Sequence, residues 1–377
     1  MTQEPLDATG PEPAYARIVS GYRTFHRPQP FECEWGGVLP ELRVAYETWG
    51  QLSPTRDNVI LLHTGLSASS HAKSQPENLQ PGWWEDFIGP GCAIDTNRFH
   101  VICTNVLGGC YGSTGPSSVD PRSGQPFATD FPIITVGDMV RAQLLLLDHL
   151  GIERLHAAAG ASLGGMQALL LAALAPERVA RVVTISAAGW AHPQSIAMRF
   201  VQRMALMADP AWAGGRYTAD SFPREGMRVA RAMGTITYRS GPEWEQRFGR
   251  QRTNQGMPTL AADFEVESYL SYQGDKFCDV YDPNSYLYIS KAMDLFDLGD
   301  GQESYEAGMA RVRCPTLVIG VQSDILFPCW QQREVADVLR RSGTRVTHVE
   351  LDAPYGHDTF LIDLERVGGA VRSHLES

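Results

Sequence analysis

The segment 160–164 reads Gly-Ala-Ser-Leu-Gly, a Gly-x-Ser-x-Gly pattern, and it constrains the fold more than any other stretch of the chain. The largely apolar run 154–159 before it has the length of a strand, and the run 165–174 after it is rich in helix-forming residues. Between a strand and a helix this pattern forms a sharp turn, in which the glycines avoid a Cβ clash and the serine hydroxyl stands at the tip. Ser162 is therefore a candidate nucleophile. The alternative is a glycine-rich turn between strand and helix whose serine has no catalytic role, because the same sequence pattern fits both.

Two backbone N–H groups are candidates for an oxyanion hole next to this serine. Leu163 would begin the helix, where N–H groups have no partner inside the helix and the helix dipole favours an anion. A second donor is expected in the loop after an early strand. The buried run 58–63 is followed by a loop of small residues, 64–71, and the N–H of Leu66 is the candidate there. A plain polar loop is the alternative interpretation.

Composition and charge exclude several classes of protein. The 377 residues carry a formal charge of −11, with 43% hydrophobic and 20% charged residues, which argues against nucleic acid or an anionic membrane as a partner. Seven scattered cysteines without a Cys-x-x-Cys pair predict neither a metal site nor a disulfide framework, and they favour a reducing, cytoplasmic location. Residues 1–17 are polar and do not resemble a signal peptide, and residues 1–15 are predicted to form a loose tail. No apolar run reaches the ~20 residues that a membrane span needs.

Apolar runs alternate with helical patterns along most of the chain, which predicts a mostly parallel, doubly wound α/β sheet. Leading antiparallel strands are expected within residues 22–46. The predicted strands are 58–63, 99–105, 181–186, 315–321 and 345–351, and the predicted helices are 136–150, 331–341 and 361–375.

The region from 190 to 300 breaks this alternation. It has no clear buried strand, and it contains helical stretches at 196–207 and 228–234 together with many aromatic residues and methionines. We predict a helical lid inserted between two strands, above the strand ends where ligands bind in such sheets. The sheet domain would then comprise residues 16–189 and 301–377.

A serine nucleophile requires a base and a carboxylate that orients the base. Asp324 follows the predicted strand 315–321, and His357 follows the last predicted strand. The order serine, aspartate, histidine, with each residue after a strand, is the order expected for this kind of sheet, so we predict the triad Ser162, Asp324 and His357. Asp352 and Asp358 are competing carboxylates close to the histidine.

More specific signals lie outside the triad. Residues 66–71 read Leu-Ser-Ala-Ser-Ser-His, residues 160–167 read Gly-Ala-Ser-Leu-Gly-Gly-Met-Gln, and residues 355–358 read Tyr-Gly-His-Asp. Further matching stretches lie at 81–84, 88–91, 107–116, 234–238 and 264–270. Through these stretches, which cover about residues 40–375, the chain resembles the homoserine O-acyltransferase family of α/β-hydrolases. The resemblance implies the α/β-hydrolase fold and ping-pong transfer of an acyl group from acyl-CoA to the side-chain hydroxyl of an amino acid.

The resemblance also implies roles for individual residues. It places the triad at Ser162, Asp324 and His357, the substrate carboxylate on Arg231, and the substrate ammonium on Asp358. A fork-shaped cation and a carboxylate are the groups that a zwitterionic amino acid requires. Without the resemblance, Arg231 reads as a surface arginine on an amphipathic helix. No metal and no permanently bound cofactor are implied, and the family's use of the helical insertion for dimers predicts a homodimer.

Three stretches, 236–250, 282–297 and 320–328, resemble the branch that acylates serine for cysteine biosynthesis. Leu326 occupies the position at which succinyl-using homoserine enzymes of the family carry arginine, and this difference favours acetyl-CoA as the donor. The related serine O-succinyltransferases, however, have the same Asp-Ile-Leu-Phe-Pro sequence. The predicted reaction is therefore acetyl-CoA plus L-serine to O-acetyl-L-serine plus CoA. Serine lacks one methylene of homoserine, a difference worth only about 1–3 kcal/mol in a pocket, so mixed activity is plausible.

The alternatives, in order, are a homoserine O-acetyltransferase of methionine biosynthesis, a serine O-succinyltransferase and an esterase or other hydrolase. A non-catalytic binding module on the same scaffold is a further alternative. Product analysis separates the hydrolase from the transferases, because a hydrolase releases only the free acid.

Overall fold

The computed structural model of the protein describes residues 21–377, so the predicted tail at 1–15 and the first five residues of the predicted sheet domain lie outside the described residues. An eight-stranded sheet forms its centre. The strands are β1 (Arg23–Arg27), β2 (Leu42–Trp49), β3 (Val59–His63), β4 (His100–Thr104), β5 (Ala157–Ala161), β6 (Val182–Ile185), β7 (Thr316–Val321) and β8 (Val346–Leu351). Three short pairs lie outside the sheet: Phe31–Glu32 with Val38–Leu39, Ile88–Gly89 with Ile94–Asp95, and Val119–Asp120 with Gln125–Pro126.

The strand order across the sheet is β1-β2-β4-β3-β5-β6-β7-β8. Every neighbouring pair from β4 to β8 is parallel, while β2 runs antiparallel to β4 and β1 antiparallel to β2. Parallel neighbours require crossover connections, and helices provide most of them. The predictions of a mostly parallel sheet and of leading antiparallel strands are confirmed.

Two hydrophobic cores cover the two faces of the sheet, which explains why the central strands are mostly apolar. In β3, Val59 and Leu61 belong to one core, and Ile60 and Leu62 belong to the other. Successive side chains of a strand point to opposite faces, so a strand that is covered on both sides is mostly apolar, with His63 and Thr184 among the buried polar exceptions.

Helices surround the sheet and form the insertion. They are α1 (Val136–His149), α2 (Leu163–Leu174), α3 (Pro193–Met207), α4 (Arg224–Tyr238), α5 (Gly241–Phe248), α6 (Glu265–Cys278), α7 (Pro283–Asp294), α8 (Tyr305–Met309), α9 (Cys329–Arg341), α10 (Thr359–Ile362) and α11 (Leu364–Glu376). Short 3₁₀ helices span Ala128–Asp130, Pro176–Arg178, Pro210–Gly215 and Gly356–Asp358.

Two predicted elements differ from the observed ones. The strand before Ser162 was expected at 154–159 but covers Ala157–Ala161, because Gly160 and Ala161 continue the parallel pairing with β6. The last helix was expected as one piece at 361–375 but is divided at Asp363, whose side chain accepts a hydrogen bond from the N–H of Arg366 and caps α11.

The segment between β6 and β7 contributes no strand to the sheet and contains helices α3 to α8, of which α3 to α7 lie between Trp190 and Asp297. An isolated bridge between Trp190 and Asp297 joins its two ends. Helices α3, α4, α6 and α7 pack on one another, and Leu206, Met227 and Phe277 belong to a small core of their own. We refer to this helical segment as the lid. Within residues 21–377, no helix combines the length and the apolar character that crossing a membrane would require.

Candidate active site

Ser162 occupies the turn between β5 and α2 with φ 57° and ψ −125°, a conformation that non-glycine residues seldom adopt. Glycines allow this turn. A Cβ on Gly160 would lie 2.4 Å from the carbonyl carbon of Gly164, and a Cβ on Gly164 would lie 2.3 Å from the carbonyl oxygen of His63. The strained turn holds the serine at the carboxyl edge of the sheet, where Ser162 lines a cavity.

Asp324 and His357 are brought together by the loops after β7 and β8. His357 Nδ1 donates to Asp324 Oδ2 at 2.7 Å. The other oxygen, Asp324 Oδ1, accepts the backbone N–H groups of Leu326 at 2.8 Å and Phe327 at 2.9 Å. With both carboxylate oxygens engaged, Asp324 fixes the imidazole so that Nε2 remains available as a proton acceptor.

Neither competing carboxylate orients the histidine. Asp352 is exposed, and its backbone carbonyl accepts a hydrogen bond from Arg366. Asp358 makes its ion pair with Arg239, Nε to Oδ2 at 3.2 Å. The residue that orients His357 in this structure is therefore Asp324.

Aromatic rings enclose His357. The Phe327 ring lies 5.3 Å and the Tyr238 ring 6.0 Å from the imidazole centroid, both nearly parallel to it. Burial lowers the pKa of His357, but the Asp324 carboxylate and, more weakly, Asp358 outweigh burial and hold the pKa above its ordinary value. The site therefore stabilises the imidazolium that forms when the histidine takes a proton.

Ser162 and His357 line one cavity of about 280 Å³. Side chains from three parts of the fold close it: the loop after β3, helix α4 of the lid, and the segment after β8. The lining residues are His63, Gly65, Leu66, Ser67, Ala68, Trp83, Ala161, Ser162, Arg231, Tyr238, His357, Asp358, Phe360 and Leu361. Apolar and aromatic groups with a few polar ones are typical of a site for a small organic substrate.

Two side chains of opposite charge line this cavity. Arg231, on α4, lies over the rings of Phe277 at 4.5 Å and Tyr238 at 5.5 Å, and within residues 21–377 its buried Nε has no hydrogen-bond partner. Burial raises the pKa of Asp358, and the positive charges of Arg239, His357 and Arg231 oppose that rise. The arrangement offers an incompletely paired guanidinium and a carboxylate beside the serine.

Both candidate oxyanion donors are close to Ser162. Leu163 is the first residue of α2, so its N–H lies at the positive end of the helix dipole. Leu66 belongs to the loop after β3 and lines the cavity with Gly65, Ser67 and Ala68. The structure thus brings all seven predicted site residues to one region of the molecule.

Sequence reasoning missed a buried arginine pair in the lid. Arg199 Nε donates to Asp294 Oδ1 at 2.6 Å, and Arg203 pairs with the other oxygen of the same carboxylate. Both terminal nitrogens of Arg199 are buried without a hydrogen-bond partner in the described part of the chain. Burial raises the pKa of the Tyr238 hydroxyl, and the charges of Arg231 and Arg199 oppose that rise. Arg199 does not itself line the cavity; it lies on α3, which packs against α4, the helix that carries Arg231 and Tyr238.

Arg239, the partner of Asp358, was also missed. It pairs with Glu243 as well, Nη1 to Oε1 at 2.7 Å, and so links Asp358 to the start of α5. The signal for both missed sites is weak in the sequence, because arginines at helical spacing are usual on exposed helix faces.

The fold, the strained serine turn and the Asp324–His357 pair define an α/β-hydrolase. A family model described as the alpha/beta hydrolase fold matches residues 58–364. A serine O-succinyltransferase of Emericella nidulans is 50% identical, over 98% of this chain and 83% of its own length. An L-serine/homoserine O-acetyltransferase of Streptomyces lavendulae is 46% identical, over 95% of this chain and 98% of its own length.

Among solved structures, the homoserine O-acetyltransferase of Bacillus anthracis matches with a TM-score of 0.88 and 29% identity, covering 96% of this chain and 98% of that one. The chain belongs to the family of homoserine and serine O-acyltransferases within the α/β-hydrolase fold, and it is an acyltransferase. The resemblance given by the sequence motifs is confirmed.

Proposed function

We propose that the protein transfers an acyl group from acyl-CoA to the hydroxyl of L-serine through an acyl-enzyme on Ser162. The observation that carries the proposal is the single cavity that holds the serine and histidine together with Arg231 and Asp358. A free amino acid carries one carboxylate and one ammonium, and a guanidinium and a carboxylate that line one cavity match both charges. An ordinary ester substrate has no need of this pair.

In the first half-reaction, His357 Nε2 takes the proton of Ser162, and the serine oxygen attacks the thioester carbonyl of acyl-CoA. The N–H groups of Leu66 and Leu163 stabilise the oxyanion, a contribution of about 3–4 kcal/mol per donor in comparable sites. The tetrahedral intermediate collapses as the carbon–sulfur bond breaks. His357 returns its proton to the departing sulfur, so CoA leaves as the thiol and the acyl-enzyme remains.

In the second half-reaction, L-serine enters with its carboxylate on Arg231 and its ammonium on Asp358. His357 Nε2 takes the proton of the substrate hydroxyl, whose oxygen attacks the acyl-enzyme carbonyl. Collapse of this intermediate breaks the bond to Ser162 Oγ, which recovers the proton from His357, and O-acyl-L-serine is released. Water would intercept the acyl-enzyme, and the apolar groups of Trp83, Tyr238 and Phe360 around the cavity favour its exclusion.

The sequence argument for acetyl-CoA as the donor rests on Leu326. In the structure Leu326 is 7% exposed and belongs to the large hydrophobic core rather than to the cavity wall. Its identity therefore says little about the acyl group, although acetyl-CoA remains a candidate donor.

A specific observation favours succinyl-CoA as the donor. Arg199 and Arg203 share the single carboxylate of Asp294, which leaves an excess of positive charge buried on α3, behind the helix α4 that lines the cavity. An uncompensated buried charge is unfavourable, and an acyl group with a free carboxylate would neutralise it. An acetyl group offers no such partner. We therefore propose succinyl transfer first and acetyl transfer as the alternative.

Steady-state kinetics with acetyl-CoA and succinyl-CoA, each with L-serine and L-homoserine, test the proposal. We expect the highest kcat/KM for succinyl-CoA with L-serine. Equal or better use of acetyl-CoA would overturn the argument from Arg199, better use of homoserine would overturn the acceptor, and release of only the free acid would identify a hydrolase.

A pair of variants isolates the donor argument. Arg199→Met should lower kcat/KM for succinyl-CoA about 10- to 100-fold, the loss of about 1.5–3 kcal/mol expected for a charged hydrogen bond, and should spare acetyl-CoA. Arg203→Met is the matched control, because it also removes one guanidinium from Asp294 but spares the unpaired nitrogens of Arg199. If both variants lose activity with both donors equally, Arg199 has no role in donor choice.

We further propose a homodimer that forms through the lid. Six large apolar side chains on α3 and α4, two helices that pack on each other, are each at least 41% exposed, and exposed apolar groups in such number are typical of an interaction surface. They are Phe200, Val201, Met204, Met207, Val229 and Ile236. Light scattering of the protein and of the Phe200→Glu variant tests this; a monomeric wild-type protein would refute it.

All seven cysteines are free thiols, which supports a reducing, cytoplasmic location. We propose acyl-CoA and the amino acid as the only small molecules that the reaction needs, with no resident cofactor or metal. Activity that survives dialysis against a chelator is the expected result, and loss of activity that added metal restores would contradict it.

A further inference from the structure

The loop after β3 carries the proposed oxyanion donor Leu66 but has little regular structure of its own. Residues 64–71 form neither strand nor helix, and Gly65 has no neighbour within 4 Å of the place where a Cβ would lie. Glycine is conformationally permissive, so nothing in the local chain fixes the peptide between Gly65 and Leu66. The direction of the Leu66 N–H must therefore be set by contacts from elsewhere.

The core of the protein provides one of these contacts. Gln167, fully buried on α2, donates from Nε2 to the carbonyl oxygen of Thr64 at 3.0 Å. Gln143 donates to Gln167 Oε1 at 2.8 Å, which determines which end of the Gln167 amide faces the loop. Because Gln167 lies one helical turn after Leu163, one side chain connects the two segments that carry the oxyanion donors.

The lid provides the other contact. The hydroxyl of Tyr281, between α6 and α7, donates to the carbonyl oxygen of Leu66 at 2.7 Å. Tyr281 is 4% exposed, and its ring stacks on Phe277 at 5.1 Å and meets the edge of Tyr111 at 5.5 Å. The side chain of Leu66 packs against this same aromatic cluster. The lid thus holds Leu66 by both its backbone and its side chain.

These two contacts have a geometric consequence. The hydrogen bond to the Thr64 carbonyl fixes the Thr64–Gly65 peptide, and the hydrogen bond to the Leu66 carbonyl fixes the Leu66–Ser67 peptide. The Gly65–Leu66 peptide, which presents the Leu66 N–H, lies between these two and is anchored through them at both ends. Oxyanion stabilisation depends steeply on donor geometry, so loosening either side should weaken it.

We propose that Tyr281 is a positioning residue through which the lid sets the orientation of the Leu66 oxyanion donor, with Gln167 as its counterpart in the core. The inference rests on the proposed function only in that Ser162 must form a tetrahedral adduct. It assigns the lid a part in the chemistry of the acyl-enzyme, beyond covering the cavity and binding substrates.

The test is the Tyr281→Phe variant, with Tyr111→Phe as the matched control. Both changes remove one hydroxyl from the same aromatic cluster, but the Tyr111 hydroxyl donates to the carbonyl of Val280, at 2.7 Å, and not to the loop. The readouts are the acylation rate with p-nitrophenyl acetate, which needs no amino-acid acceptor, and the inhibition constant of trifluoroacetone, whose adduct with Ser162 carries an oxyanion.

We expect Tyr281→Phe to slow acylation and to weaken trifluoroacetone binding by a similar factor, about tenfold, a fraction of the 10²–10³ lost when an oxyanion donor is removed outright. Tyr111→Phe should leave both values within about twofold of wild type. A melting temperature measured for each variant shows whether either change disturbs the fold.

The inference is overturned if the two variants behave alike. It is also overturned if Tyr281→Phe lowers the melting temperature but raises the inhibition constant of trifluoroacetone by no larger factor than it raises KM for p-nitrophenyl acetate. The proposed function fails separately. If the wild-type protein reacts with p-nitrophenyl acetate but transfers no acyl group from acyl-CoA to L-serine, the proposed pair of substrates is wrong. The role of Tyr281 in positioning the oxyanion donor would still stand.

Discussion

The sheet side and the lid side of the cavity hold their functional groups in different ways. On the sheet side, main-chain geometry fixes Ser162 in its strained turn, and two backbone N–H groups fix Asp324. On the lid side, Arg231 is supported by aromatic faces, and Arg199 is held by one shared carboxylate. Within residues 21–377, the Asp324–His357 pair on the sheet side has both carboxylate oxygens and Nδ1 hydrogen-bonded, whereas Arg231 and Arg199 on the lid side retain unpaired cationic nitrogens.

This difference indicates that the sheet side carries out the chemistry and the lid side binds the charged substrates. Groups that move protons and electrons must be preorganised, because a misplacement of about 1 Å can cost roughly 10²-fold in rate. Groups that bind a charged substrate gain from remaining incompletely paired until the substrate arrives, since the substrate then supplies the missing partner. Changes on the sheet side should therefore affect the rate of chemistry, and changes on the lid side should affect which molecules react.

Ser162→Ala tests the sheet side with the largest expected effect. Loss of a catalytic serine in a comparable triad lowers kcat on the order of 10⁶-fold, and the same is expected here for every acyl donor. Intact mass spectrometry after mixing with acyl-CoA should show an acylated wild-type protein and an unmodified variant. Ser123→Ala, in an exposed loop, is the control. Acylation of the alanine variant would place the nucleophile elsewhere.

Asp324→Asn should come next in size and separates the two carboxylates near His357. Asparagine keeps the shape but favours the wrong imidazole tautomer, so we expect a fall in kcat of about 10⁴-fold. Asp358→Asn should instead raise KM for the amino acid and leave the acylation half-reaction unchanged. Stopped-flow measurement of acylation with each variant distinguishes the roles. If Asp358→Asn slows acylation as strongly as Asp324→Asn, the assignment of the two residues is wrong.

Arg231→Met tests the lid side. Loss of an ion-paired guanidinium from the substrate carboxylate should raise KM for L-serine roughly 30- to 150-fold, corresponding to about 2–3 kcal/mol, with little change in acylation by the CoA ester. Arg228→Met is the control on the same helix, because Arg228 pairs with Glu225 and Asp275. An equal loss in both half-reactions would mean that Arg231 supports the structure of the cavity rather than substrate binding.

The difference between the two sides also explains why the catalytic triad and most strands of the sheet could be predicted from the sequence. Ser162, Asp324 and His357 each follow a strand, and in a parallel sheet all strand ends of one kind meet at the same edge, so chain order alone brought them together. Most of the strands were predicted because burial on both faces makes their sequences largely apolar. Even there, the limits of the strand before Ser162 shifted, because pairing with a neighbouring strand outweighed local composition.

The lid could not be predicted in this way. Arg199 and Asp294 are 95 residues apart, and Tyr281 lies 215 residues from the carbonyl it binds, so only the folded arrangement of the helices brings these pairs together. Arg231 was identified by resemblance to a family, and its residue type alone would have suggested a solvated helix face. Helical spacing specifies which face is buried but not what a buried polar group meets.

The smallest expected effect concerns a third brace on the loop of Leu66, at its far end. The buried carboxylate of Glu47 accepts hydrogen bonds from Ser70 at 3.0 Å and His71 Nδ1 at 2.9 Å, and His71 Nε2 lies 2.7 Å from the carbonyl oxygen of Gln80. The hydrogen bond to Glu47 raises the pKa of His71 above its ordinary value; burial opposes the rise, and Glu85 adds to it weakly.

A raised folded-state pKa stabilises the protein fully below the pKa of the unfolded histidine, about 6.5, and that contribution is lost as pH rises through the folded value. His71→Gln removes the charge but keeps a hydrogen-bond donor, so its deficit in melting temperature should be largest near about pH 6 and shrink towards about pH 9. His156→Gln should show the opposite trend, because burial lowers the pKa of His156. If the melting-temperature deficit of His71→Gln stays constant with pH, the loop is held by a neutral hydrogen bond. The position of the Leu66 loop on the sheet side would then not depend on the charge of His71.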